Sequence, residues 1–364
     1  MYTISDNQFK ELKAWNGTPA FPYLFTDADL TADFELVHGR DAFSWKGVPG
    51  ELYHVNAPLN SNIWNETFRR HLGHWRCAVF TPEGFERNPR PLPIVFTFAG
   101  IGGDYSDSAV YLPKIVQEMG CIMVAFDLHL TGLRVLTDNK DLNKGEEHFG
   151  LSIGIMKEAG RPIDNDCMAQ FVHEQAFNIM QVCAMLKERY KIPCEDYPPI
   201  VTLGFSLGGF YAFQSALQLP GCIGAVCGGA SADICGFGGP FDLARNKVVE
   251  TVAELGKYLP QELKLFAYYI MAISAVDKTP IVGVGAGNCD IPIRFVIGSK
   301  DSLVSAGKEA ERFAQGGYPN RTAIEVEGIG HTPVWDDTSL NPLGMRMMQE
   351  LSSIVAAWRA EHAQ

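Results

Sequence analysis

The sequence predicts an α/β fold: a mostly parallel central sheet with helices on both faces and a helical cap. Three observations lead there. Short, nearly all-apolar runs alternate with segments of helical spacing from about residue 93 onward, the pattern of a sheet covered on both sides. One such run, 199–203, stops at Gly204-Phe205-Ser206-Leu207-Gly208 and is followed at once by a helical stretch, Phe210 to Leu217. Two further polar residues, Asp301 and His331, come just after later strand-like runs, so all three fall at the carboxyl ends of predicted strands.

Taken in order, residues 1–74 form an N-terminal extension with a short helix near Phe9 to Trp15, followed by aromatic, loop-rich sequence. Trp75 to Pro82 reads as a strand, and 83–93, with charge, glycine and three prolines, as a hairpin connection to the strand 93–99. That strand ends in Gly100-Ile101-Gly102-Gly103-Asp104. A helix from Ser106 to about Met119 then leads into a buried strand at 121–127. Residues 129–166 interrupt the alternation with Gly, Asn, Asp and Lys, and a helix from about Met168 to Tyr190 restores it. After the serine turn comes a strand at 222–230. Residues 232–288 read as a helical cap that includes the apolar run 263–273. The closing part, 289–364, contains a strand at 292–298, a helix from Ser305 to Phe313, a strand at 322–326 and a helix from Leu343 to Trp358. The core is thus expected in two parts, 75–231 and 289–364, separated by the cap.

Bulk composition narrows the function. With 364 residues, 46% hydrophobic and 20% charged, the chain is long enough to bury a sizeable core. A net charge of -12 without a basic run argues against nucleic acid or an anionic membrane as the main partner. No apolar stretch reaches the roughly 18 residues that a membrane span needs. The first ten residues lack the charged start and apolar core of a secretory signal. The nine cysteines are scattered, without CxxC spacing. Together these features point to reduced thiols and a cytoplasmic location.

The serine turn carries the chemistry. Glycines at both flanks suit a bend where a β-carbon would hold strand and helix apart, and the bend pushes Ser206 outward. The N–H groups at the start of the following helix lack partners within it and face a developing negative charge. Chance alone yields about 0.2 matches to Gly-x-Ser-x-Gly in a chain of this composition, so the strand before it and the helix after it carry the weight. A serine hydroxyl becomes a useful nucleophile when an imidazole takes its proton and a carboxylate orients that imidazole. His331, in Gly328-Ile329-Gly330-His331-Thr332-Pro333, and Asp301, in Gly298-Ser299-Lys300-Asp301, supply both. The glycine loop at 100–104 is not a dinucleotide fingerprint, because Tyr105 occupies the last glycine position. His71, His74 and Cys77 lack a fourth zinc ligand, so neither cofactor nor metal is expected.

On these residues the chain resembles the α/β-hydrolase superfamily, over roughly residues 75–360, with nucleophile, acid and histidine in that family's chain order. The resemblance implies Ser206 as nucleophile, His331 as general base and then acid, and Asp301 as orienting carboxylate. Asp233 is the substitute for Asp301. It further implies an oxyanion hole from the backbone N–H groups of Ile101 and Leu207. Two departures stand out. Many relatives have His-Gly at the oxyanion loop where this chain has Ala99-Gly100, so the support of that loop must differ. Relatives often show Asp-x-Arg-Gly-x-Gly-x-Ser after the strand that here ends at Asp127, whereas this chain continues Leu128-His129-Leu130-Thr131-Gly132.

The expected activity is hydrolysis of a carboxylic ester through an acyl-enzyme. The expected partner is a small-molecule ester or acyl substrate with an apolar or aromatic part. Thioester, amide or carbon-carbon cleavage, acyl transfer, and ligand binding without turnover remain open alternatives, since a fold does not decide chemistry. Oligomeric state is not legible.

Overall fold

The computed structural model describes residues 32–57, 72–100, 102–136, 149, 152, 165–193, 197–232, 290–316, 319–336 and 339–362. The expected helix near residues 9–15, most of the excursion at 129–166 and nearly all of the cap at 232–288 lie outside them.

The sheet is assembled from the apolar runs. Its strands are β1 (Asp33–His38), β2 (Ser44–Trp45), β3 (Val48–Asn56), β4 (His74–Phe80), β5 (Ile94–Phe98), β6 (Ile122–Phe126), β7 (Ile200–Phe205), β8 (Cys222–Gly228), β9 (Ile293–Gly298) and β10 (Arg321–Val326). Their spatial order is β1-β3-β4-β6-β5-β7-β8-β9-β10, with the short β2 paired to β3. From β6 to β10 every pairing is parallel, while β1, β3 and β4 add antiparallel pairs at one edge. Strands from within residues 1–74 therefore extend the sheet rather than standing apart from it.

Alternation along each central strand splits the core in two. Phe96 and Phe98, Val124 and Phe126, and Phe295 and Ile297 pack on one face. Val95, Met123, Val201, Leu203 and Val296 pack on the other. This is the period of two that a strand imposes on its side chains. The helices α1 (Asn165–Tyr190), α2 (Leu207–Gln218) and α3 (Ala306–Gly316) contribute to the first cluster, and α4 (Pro342–His362) to the second.

Two local expectations are corrected. The segment 83–93 is not a hairpin connection, because β4 pairs with β3 and β6, and β6 lies between β4 and β5. The polar, proline-rich segment instead carries the chain across the end of the sheet. The single helix expected from Ser106 to Met119 is broken into a 3₁₀ stretch, Tyr105–Tyr111, and a π turn, Pro113–Glu118. Pro113 has no N–H to continue the first ladder, so the hydrogen-bond pattern restarts there. The remaining predicted strands and helices within the described residues match to within a few residues, but β1, β2 and β3 fall in sequence read as aromatic and loop-rich, where the antiparallel edge of the sheet leaves many side chains exposed and the apolar runs short.

A two-stranded hairpin, β11 (Val334–Asp336) with β12 (Ser339–Leu340), lies between β10 and α4. No helix among the described residues is long and apolar enough to cross a membrane.

Candidate active site

The serine turn is built by steric exclusion. β7 ends at Phe205, α2 begins at Leu207, and Ser206 between them has φ 55° and ψ -122°, a conformation costly for any residue with a β-carbon. The Ser206 N–H donates to the Gly228 carbonyl at 2.8 Å, and its own carbonyl accepts from the Phe210 N–H at 3.1 Å. A β-carbon on Gly204 would lie 2.1 Å from the Gly208 carbonyl oxygen, and one on Gly208 would lie 2.2 Å from that of Ala99. Both contacts are with backbone, so neither can yield. Strand β7, helix α2 and the end of β5 therefore close together only because both positions are glycine.

His331 reaches the serine from the far end of the sheet. Its Nε2 is 3.0 Å from Ser206 Oγ, and its Nδ1 is 2.8 Å from Asp301 Oδ2. The Asp301 side chain is fully buried, while that of His331 is about a quarter exposed, which leaves the imidazole open on one side. The second carboxylate oxygen of Asp301 accepts the Leu303 and Val304 N–H groups at 2.8 and 3.1 Å, which fixes its rotamer toward the histidine. Donors on both oxygens also offset the cost of burying the carboxylate. Asp301 therefore orders its own turn as well as facing the imidazole.

The loop carrying His331 is tied to the loop carrying Asp301. The Lys300 N–H donates to the Ile329 carbonyl at 2.8 Å, and the Gly328 N–H donates to Ser299 Oγ at 2.9 Å. A β-carbon on Gly298 would lie 2.3 Å from the Ile329 carbonyl oxygen, so the end of β9 touches the histidine loop directly. The Phe205 ring packs against the imidazole at 5.0 Å.

Sequence reasoning missed Asn341. It is buried, its Oδ1 accepts the Leu343 and Gly344 N–H groups at 2.8 and 3.1 Å, and its Nδ2 donates to the Thr332 carbonyl at 2.5 Å. One amide thus caps α4 and holds the carbonyl next to His331. The cap was legible, since asparagine before Pro342 is a helix-start signal; its second grip was not.

Of the residues expected from the sequence, Ser206, Asp301 and His331 meet in one hydrogen-bonded chain. Leu207 opens α2 beside the serine, where its N–H is among those without a partner inside the helix. Ile101 and Asp233 lie outside the described residues. Gly100 is adjacent to the serine, for a β-carbon there would come 3.6 Å from Ser206 Cβ. Away from this edge, His74 Nδ1 is 2.7 Å from Asn56 Oδ1 and Cys77 is buried in the core.

No family model and no curated protein sequence matches the chain. Similar solved structures include an esterase of Pyrobaculum calidifontis, with 14% identity and a TM-score of 0.48 over 84% of this chain and 85% of that one. Another is an esterase of Pyrococcus furiosus, with 13% identity and a TM-score of 0.47 over 94% and 98%. A third is 2,6-dihydroxy-pseudo-oxynicotine hydrolase, with 17% identity and a TM-score of 0.45 over 78% of this chain and 66% of that one.

Proposed function

We propose that this chain, whose fold is that of the α/β-hydrolases, is a serine hydrolase that cleaves a carboxylic ester through an acyl-enzyme. The observation that carries the reading is the continuous chain from Ser206 Oγ through His331 to Asp301, at 3.0 and 2.8 Å, with the serine on a strained turn.

In this reading Ser206 Oγ attacks the ester carbonyl carbon as its proton passes to His331 Nε2. The carbonyl oxygen becomes an oxyanion, met by the Leu207 N–H at the positive end of α2, with the Ile101 N–H as the second donor expected from the sequence. The tetrahedral centre collapses, the carbon-oxygen bond to the alcohol breaks, and His331 returns its proton to that leaving oxygen. Water then repeats the sequence on the acyl-enzyme, giving the free acid and restoring Ser206. Asp301 stays ionised throughout. It keeps the Nδ1 proton toward itself and stabilises the imidazolium that forms in each half-reaction.

The test is fluorophosphonate labelling of the wild type and Ser206→Ala, together with p-nitrophenol release from esters of increasing acyl length. Labelling and turnover confined to the wild type are expected, with a maximum at one chain length that measures the acyl site. Full ester turnover by Ser206→Ala would end this reading. Labelling without ester turnover would keep the reactive serine and transfer the proposal to thioesters, amides, carbon-carbon bonds or acyl transfer.

A further inference from the structure

The glycine loop beside Ser206 lacks the histidine that many chains of this fold carry, yet its described residues on either side of position 101 are tied down. Its turn closes with the Gly103 N–H donating to the Gly100 carbonyl at 3.2 Å. One end is pinned where the Ala99 and Phe98 carbonyls meet Gly208. The other end is Asp104-Tyr105, and there a charged cluster begins.

Asp127, at the end of β6, has a fully buried carboxylate that gathers five donors. Three are from Arg76 on β4: its backbone N–H at 3.1 Å, its Nε at 3.0 Å and its Nη2 at 3.1 Å. The other two are the Tyr105 and Leu133 N–H groups, at 3.3 and 3.2 Å. Gly132 lets the chain wrap this carboxylate, for a β-carbon there would come 2.1 Å from Asp127 Oδ1. The same Arg76 Nη2 donates to Asp104 Oδ2 at 2.9 Å, and Asp104 Oδ1 accepts the Ser106 N–H at 2.7 Å. The guanidinium lies 4.4 Å from the centre of the Tyr105 ring, which stacks in turn on Trp45. Burial opposes the charge on Arg76, but the two carboxylates outweigh it and hold its pKa above the ordinary value. A planar guanidinium with several fixed donors can grip two carboxylates at once; a single ammonium is far less suited to that.

We infer that Arg76, bridging Asp127 and Asp104, is the positioning device of the glycine loop beside Ser206, holding the Asp104 end of the segment in which the sequence places the second oxyanion donor. The inference rests on the serine-hydrolase reading above and deepens it. The Arg76 side chain donates to Asp127 and Asp104 and to none of Ser206, His331 and Asp301, so it acts by denying the loop an alternative position. Oxyanion stabilisation depends on donors already in place before charge develops, so slack in this loop costs rate rather than ground-state binding.

The test uses Asp104→Asn, in which the amide oxygen still caps Ser106 while the amide NH2 faces the guanidinium. Arg76→Lys is the second variant, keeping a positive charge beside Asp127 without the second nitrogen that reaches Asp104. For p-nitrophenyl ester hydrolysis, kcat is expected to fall about tenfold with KM within about twofold. That is less than the loss on deleting an oxyanion donor outright, about 10² to 10³. Affinity for a trifluoromethyl ketone, whose adduct with the serine carries the same oxyanion, should fall by the same factor as kcat/KM. A folded variant that melts earlier but keeps wild-type kcat and ketone affinity would overturn the inference and leave the serine-hydrolase reading intact. Absence of any fluorophosphonate adduct on wild-type Ser206 would remove that reading, and the inference with it.

Discussion

The two ends of the Ser206–His331–Asp301 chain are held by different means. Ser206 is held by backbone, in a turn where glycines at 204 and 208 let strand and helix come within contact distance. His331 and Asp301 are held by hydrogen bonds across loops, from Leu303, Val304, Asn341, the Ser299 hydroxyl and the backbone at 300, 328 and 329. The first kind of support is all or none, because a steric overlap with a main-chain carbonyl cannot be eased by a rotamer. The second can be removed one bond at a time. Substitutions of the glycines that let the serine turn close should therefore act on stability, and those of the hydrogen-bonding residues on the histidine side on rate.

The largest effect expected is from Asp301→Asn, which keeps shape and turn but offers His331 no charge and can stabilise the wrong tautomer. A loss of kcat on the order of 10⁴-fold follows if the carboxylate orients the imidazole, with little change in melting temperature. A fall under tenfold in steady-state assays would shift the role to another acid, Asp233 being the first to replace. Next is Gly208→Ala, with a penalty of about 3 kcal/mol or more, at the top of the range for overpacking, because its β-carbon meets two backbone carbonyl oxygens. Thermal or urea unfolding reads it directly. A melting temperature equal to that of the wild type would mean that the serine side is as forgiving as the histidine side.

A smaller effect sharpens the comparison from the other direction. Asn341→Asp keeps a good helix cap, favoured by the dipole of α4, but sets a carboxylate oxygen against the Thr332 carbonyl. We expect kcat/KM to fall about tenfold while the melting temperature moves by only a few degrees. If kcat/KM does not change, the contacts of Gly298 and Lys300 with Ile329 hold the histidine loop by themselves.

The smallest effect concerns pH. His129 is buried, stacks on Phe171 at 4.7 Å and on Tyr211 of α2 at 6.4 Å, and has Nε2 3.2 Å from Glu174. Burial, with Arg134 nearby, keeps its pKa well below the usual 6.5. As the pH drops below that value the unfolded chain takes up a proton that the folded one refuses, so the folded state loses stability on acidification. The loss from this residue is about 1 kcal/mol between pH 6.5 and 5.5. His129→Gln should remove about that much of the fall in unfolding free energy, measured by urea titration, between these two pH values. An unchanged slope would assign the acid sensitivity to other groups.

Much of the site is legible in the sequence. The Gly-x-Ser-x-Gly turn lies within five consecutive residues, and its geometry follows from β-carbons that must be absent. The strands announce themselves by runs such as Ile94–Phe98, since a sheet covered on both faces leaves few polar positions. Asp301 and His331 were found because each follows such a run, where the topology of a parallel sheet puts strand ends together. Arg76 carried a weak signal, as a lone charge in an apolar strand. Its partners gave none, because Asp127 is 51 residues away and only sheet order makes them neighbours.

The sequence by itself determined the local shapes: the alternation of strand and helix, the strained serine turn, and the helix caps. Each depends on contacts within a few residues, where sterics leave one answer. Only the tertiary structure decided that β6 separates β4 from β5, that Asn341 grips the histidine loop, and that Arg76 reaches both Asp127 and Asp104. These are pairings that no local pattern joins, from nine residues apart for Asn341 and Thr332 to 51 for Arg76 and Asp127. Many partners satisfy a charge or an amide equally well until packing brings one of them within hydrogen-bond distance.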